Sequence, residues 1–197
     1  MYGSESVPKE AAQNWNLIDK NPYLIGDFVW TAIDYLGEAG LAHTLELAPG
    51  EHSPQFMGWP WYNAWCGDID LCGDKKPQSY YRDILWNRRD ISLPVADGKR
   101  EDINYWGWKN ELLSWNWKGM EGKTMTVHVY SRSPKVRLYL NNRLIGEKET
   151  TPDTYTASFE VPYEPGELKA CNVKGKKETA SASLNTAGNP ASIRLTA

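Results

Sequence analysis

The sequence predicts a mixed fold in two parts. Through roughly the first half, helix signals flank one long apolar run, Tyr23–Trp30, which Gly26 and Asp27 alone interrupt. From about Asn104 the apolar residues switch to strict alternation between turn signals. A helix followed by a buried strand is the rhythm of a β/α barrel, whereas short alternating strands belong to an all-β sandwich.

Taken in order, Pro8 suits a first helical turn, and Ala11, Trp15 and Ile18 form an i, i+4, i+7 stripe that Asn21-Pro22 ends. The Tyr23–Trp30 run reads as a strand buried on both faces, as in a parallel sheet with helices outside. Trp30, Asp34, Tyr35 and Glu38 follow just past the strand's C-terminal end, where α/β folds place their ligands. Residues 41–76 have little periodicity, and Phe56, Trp59, Trp61, Tyr62 and Trp65 are available to tie such a long loop down. A second helix is expected over Pro77–Asn87, with Tyr81, Ile84 and Leu85 on its inner side. The polar, turn-rich stretch from Pro94 to Asp102 is the expected linker.

Beyond it, Met125, Val127 and Val129 alternate with Thr124, Thr126, His128 and Tyr130, and Val136, Leu138 and Leu140 alternate with Arg137 and Tyr139. Asn141-Asn142 is a tight-turn signal. Further strands are expected at Leu144–Lys148, Tyr155–Val161, Glu167–Val173, Thr179–Asn185 and Ser192–Thr196. Their number and spacing predict an immunoglobulin-like sandwich. Trp106, Trp108, Trp115 and Trp117 alternate at its start, either as a glycan platform or as a seam against the first part; the seam is favoured, because interfaces enrich Trp.

Composition narrows the function. Ten Trp and 11 Tyr against 3 Phe supply flat apolar faces with polar edges, which suit sugars and interfaces alike. A net charge of −3 gives no basic field for nucleic acid, and no apolar run reaches membrane-spanning length. Cys66 and Cys72 lack zinc-finger spacing, and Cys66 reads as a small core residue. Glu38 with His43, and Asp68 with Asp70, offer too few ligands at a recognisable spacing for a cation, so no metal or cofactor is expected. On position alone Glu5 reads as a solvated tail residue, Trp30 as core or a ligand platform, and Asp34 as a loop-ordering or hydroxyl-binding carboxylate.

Several stretches carry a family resemblance. Asp27–Glu38, Asp-Phe-Val-Trp-Thr-Ala-Ile-Asp-Tyr-Leu-Gly-Glu, resembles the last barrel strand of glycoside hydrolase family 2, the β-galactosidase and β-glucuronidase family. Gly3-Ser4-Glu5-Ser6 lies where that family carries its nucleophile, at the end of the seventh strand. Trp59-Pro60-Trp61, Cys66–Asp70 and Lys76–Trp86 resemble the exit from the barrel; Ser114–Trp117, Glu121–Lys123 and Val161–Ala170 resemble the sandwich that follows it in bacterial members.

The resemblance implies a C-terminal portion of a retaining exo-β-glycosidase, most like a β-galactosidase. Residues 1–95 would be the remnant of the (β/α)8 barrel and residues 104–197 the accessory sandwich, since a whole barrel needs roughly 250 residues. It implies Glu5 as nucleophile, Trp30 and Asp34 as sugar-binding residues, a β-galactoside or related glycan as partner, and a periplasmic or secreted location. The general acid/base belongs to an Asn-Glu pair after the fourth strand. The sequence's one Asn-Glu, Asn110-Glu111, falls after the barrel and is not that pair, so the chain alone is expected to be inactive. A non-catalytic carbohydrate-binding or structural module is the alternative. Pairing of the open barrel strand with a second copy is a further expectation.

Overall fold

A computed structural model of the chain describes residues 5–45, 51, 54–96, 102–103 and 106–192. A 3-10 turn, Pro8–Glu10, leads into helix α1, Ala11–Lys20. Strand β1, Thr44–Leu45, is followed by helix α2, Pro77–Leu85, and by β2, Ile91–Ser92, β3, Val95–Ala96, and β4, Asp102–Ile103. The longer strands are β5, Thr124–Ser131, β6, Lys135–Leu140, β7, Arg143–Glu149, β8, Thr156–Pro162, β9, Glu167–Lys174, and β10, Lys177–Asn185.

Two antiparallel sheets pack face to face. In one, β5 pairs with β8 along one edge and with the short β2 and β3 along the other; the second runs β10-β9-β6-β7. The alternation seen in the sequence sets which residues face inward. Met125, Val127 and Val129 meet Val136, Leu138 and Leu140, with Phe159, Val161, Leu168 and Ala170 completing the core. The β6–β7 turn places Asn141 at φ 51° and Asn142 at φ 62°, the left-handed pair that a tight hairpin needs. The edge strands β7 and β10 are mostly exposed, and the charged residues of β7, Arg143, Glu147, Lys148 and Glu149, discourage edge-to-edge pairing there.

All six strands expected between 124 and 185 are present, within two residues of their expected ends. The strand expected at Ser192–Thr196 lies outside the described residues except for Ser192, as does most of the expected linker. The sheet starts earlier than expected: Ile91 pairs with Ser131 and Val95 with Val127, so residues 91–96 belong to the sandwich.

The first part departs from expectation. Tyr23–Trp30 is not a strand buried on both faces. Ile25 is 81% exposed, and Tyr23 and Phe28 are exposed as well. Val29 makes a parallel bridge with Ser6, and Gly26, itself at a bridge position, takes φ 148°. A strand is buried on both faces only when other layers cover both of them, and the exposure of Tyr23, Ile25 and Phe28 shows that they are not covered here.

Both helices dock on the sandwich. Asn16 donates to the carbonyl of Asp153 (2.8 Å), Tyr81 to that of Thr154 (2.7 Å), and the Arg132 guanidinium to that of Leu85, at the end of α2 (2.8 Å). Ala11, Tyr81, Ile84, Leu85 and Tyr130 form a second small core at this junction.

Candidate active site

Glu5 and Trp30 are brought together by the parallel Ser6–Val29 bridge. The Ser6 N–H donates to the Phe28 carbonyl (2.8 Å) and the Trp30 N–H to the Ser6 carbonyl (2.8 Å). Side chains alternate across an extended backbone, so this register puts Glu5, Phe28 and Trp30 on one face and Ser6 and Val29 on the other. Burial agrees with that division, for Ser6 is buried while Glu5, Phe28 and Trp30 are exposed. The Trp30 indole meets Tyr35 edge-on at 6.4 Å, and the Tyr35 hydroxyl donates to Glu38. Burial and that carboxylate raise the Tyr35 hydroxyl's pKa, keeping it a neutral donor.

Behind Trp30, the loop is built on Asp34. Its Oδ1 accepts from the Gly67 N–H (2.7 Å) and from the Lys76 ammonium (2.8 Å), and Lys76 also donates to the Trp65 carbonyl (2.8 Å). The Asp34 side chain is 0% exposed. Burial pushes the Asp34 carboxyl up from the ordinary range and the Lys76 ammonium down, and their mutual attraction opposes both shifts. Gly67 is required here for space: a Cβ would lie 2.2 Å from the Asp34 nitrogen. Replacing Gly67 with Ala should therefore loosen this loop, read as faster hydrogen exchange at the amides of Asp34 and Asp68.

The remaining polar residues of the loop are held by protein partners. Asp68 pairs with Arg82 at 2.7 Å, Asp70 accepts from the amides of Cys72 and Asp74, and buried His43 bonds the Gly40 carbonyl and packs on Trp61. Among the described residues no three His, Cys, Asp or Glu side chains gather as metal ligands would. Burial, followed by the charge of Asp34, pushes the Cys66 thiol up to about 11, which leaves it inert as a nucleophile.

Glu111 holds a position its sequence context did not announce. Buried at the junction, its Oε1 accepts from the Trp108 indole (2.7 Å) and the Tyr130 hydroxyl (2.7 Å), and its Oε2 contacts His128 Nδ1 at 2.8 Å. A polar residue flanked by Asn110 and Leu112 gives no periodic signal, and its partners lie 17–19 residues away or in the preceding turn. The four Trp residues do not alternate on a strand. Trp106 packs against the small cluster of Leu41, Ala42, Ala64 and Cys66, Trp108 against the α2–Tyr130 junction, and Trp117 against the sandwich core that includes Trp115. The first two form the seam. Glu111→Ala orphans at least two donors at about 1–3 kcal/mol each. With some relief from entering water, a loss of about 2–3 kcal/mol in urea unfolding is expected.

The chain is similar to several known proteins. Residues 122–180 match a family described as "Domain of unknown function (DUF4982)". A solved glycosyl hydrolase family 2 member from Bacteroides cellulosilyticus is 34% identical, superposes with a TM-score of 0.75, and is matched over 95% of this chain and 22% of that one. The chain's relatives are family 2 glycoside hydrolases. A β-galactosidase of Bacteroides ovatus is 26% identical over 93% of this chain and 18% of its own length. A putative β-glucuronidase of Formosa agariphila is 27% identical over 98% of this chain and 16% of its own. The chain thus spans about a fifth of the length of the family 2 relatives it matches.

Proposed function

We propose that this chain closes the catalytic barrel of a longer family 2 enzyme, a retaining exo-β-glycosidase acting on terminal β-galactosides or β-glucuronides, and adds the sandwich that braces it. The observation that carries this reading is the parallel Ser6–Val29 bridge across helix α1, which puts Glu5 and Trp30 on one exposed face. Two adjacent parallel strands joined by a helix are the repeating unit of a β/α barrel.

In this reading Glu5 is the nucleophile. Its carboxylate attacks the anomeric carbon, while a second carboxylate about 5 Å away protonates the departing oxygen and then activates water. Trp30 supplies an apolar floor for the C–H face of the sugar. Asp34 acts through the wall: its oxygens meet Lys76 and Gly67, so it fixes the loop that follows Trp30. The second carboxylate comes from elsewhere in the enzyme, because Glu111 is buried at the sandwich junction among Trp108, Tyr130 and His128.

The test uses the longer enzyme and this chain side by side. Glu5→Gln in the enzyme should abolish turnover of aryl β-galactosides and β-glucuronides, and the 197-residue chain should show none by itself. Full activity in the Glu5→Gln enzyme, or turnover by the isolated chain, contradicts the assignment.

A further inference from the structure

Between the loop wall and the segment leading into the sandwich lies a cavity of about 390 Å³. Trp61 and Trp65 line it from the loop, Trp108 and Asn110 from the sandwich side, and Asp70 and Lys75 from the approach to α2. This volume is within the range of small-molecule sites. Indole faces beside amide, hydroxyl and carboxylate groups match a sugar, which presents apolar C–H faces and a polar rim. Trp65 is 42% exposed, with the Lys76 ammonium 4.3 Å above its ring.

The charges around the cavity are largely matched. The Lys75 ammonium contacts Asp83 at 2.5 Å, Lys76 is held by Asp34, and Asp70 accepts from its own loop amides. Lys109 and Glu111 add one charge of each sign. That balance favours an uncharged ligand over an anionic one.

Its position relative to Trp30 follows from the backbone. The Thr31 N–H donates to the Cys66 carbonyl, which places Trp65 beside the end of the Trp30 run, and the Asp34–Lys76 pair joins the loop after Trp30 to the residue preceding α2. In a β/α unit the strand's end and the next helix's start share one face, the face that carries the active site. We infer that this cavity is a second sugar subsite, separate from the Glu5–Trp30 face, that seats uncharged β-linked units of a glycan remote from the bond being broken. The inference rests on the glycosidase reading for its biological role, but sugar binding here needs no turnover.

The experiment is a titration of the 197-residue chain with cellobiose, lactose and a glucuronosyl disaccharide, followed at the indole N–H resonances. The neutral disaccharides should give saturable shifts at Trp61, Trp65 and Trp108, and the charged one weaker shifts. Trp65→Ala should weaken binding about tenfold or more. Asn110→Trp, made at an exposed position, should fill the cavity and do the same without touching the core, so it decides the matter if Trp65→Ala does not fold. Leu144→Ala, at an exposed position on the far edge of the sandwich, should leave the shifts at Trp61, Trp65 and Trp108 unchanged. Absence of saturable shifts, shifts confined to Trp30, or full binding in Asn110→Trp overturns the proposal. Loss of the glycosidase reading shows separately, as turnover that survives Glu5→Gln in the longer enzyme.

Discussion

Lys76→Met should cost about 3–5 kcal/mol of stability at neutral pH, because removing one member of a buried ion pair strands the other. Methionine fills most of the lysine stem's volume but gives nothing back to Asp34 Oδ1 and Oδ2 or to the Trp65 carbonyl, which Lys76 bonds at 2.8–3.0 Å. The pH dependence has a definite sign. Burial already holds the Asp34 pKa above its ordinary 3.8, and Lys76 is the largest influence pulling it down. Without Lys76 the folded-state value rises further, so between it and 3.8 the native variant binds more protons than the unfolded chain. Stability gained by that protonation is present at low pH and lost as pH rises through the raised value. The deficit of Lys76→Met relative to the unaltered chain should therefore shrink as the pH of urea titrations is lowered towards the ordinary carboxylate range. A deficit that stays constant or widens with acid contradicts the account of the pair.

Trp115→Ala is expected to be comparably severe, about 3–5 kcal/mol, through the loss of a large core side chain and the void it leaves. The indole is 0% exposed, lies against Tyr163 at 4.9 Å, and donates to the Glu164 carbonyl at 3.0 Å. Its backbone matters too: the Trp115 carbonyl accepts from Thr186 at 2.7 Å, tying the segment before β5 to the end of β10. Phenylalanine at this position should recover part of the loss, because it refills space but leaves the Glu164 carbonyl unpaired. Urea midpoints for the two variants check this. A loss under about 1 kcal/mol for the alanine variant would place Trp115 outside the cooperative core.

The contrast between these two residues shows what was legible in the sequence. Inward and outward positions in β6 and β8, and in β5 as far as Val129, follow from period-two alternation, whereas Tyr130, on the outward side of that pattern, is buried against α2. The hairpin at Asn141-Asn142 was equally legible, since a left-handed turn selects for Asn and Gly. By contrast, Lys76 finds Asp34 across 42 residues of irregular chain, and Glu111 finds Tyr130 across a gap of 19. No periodicity connects such partners, and a lysine before Pro77 reads only as a helix start. Tyr23–Trp30 shows the opposite error. Its composition describes a strand covered on both faces, whereas Ile25 and Phe28 are exposed.

The candidate site divides in the same way. Glu5, Trp30 and Asp34 stand out through resemblance to family motifs rather than through spacing. The geometry then puts two of them on one face and the third inside the wall. The role of Glu5 is the central claim, and covalent trapping tests it most directly. The longer enzyme, treated with an activated 2-deoxy-2-fluoro glycoside and digested, should yield one glycosylated peptide, with the sugar ester-linked to Glu5. A label on any other carboxylate, with Glu5 unmodified in an inactivated enzyme, would contradict it.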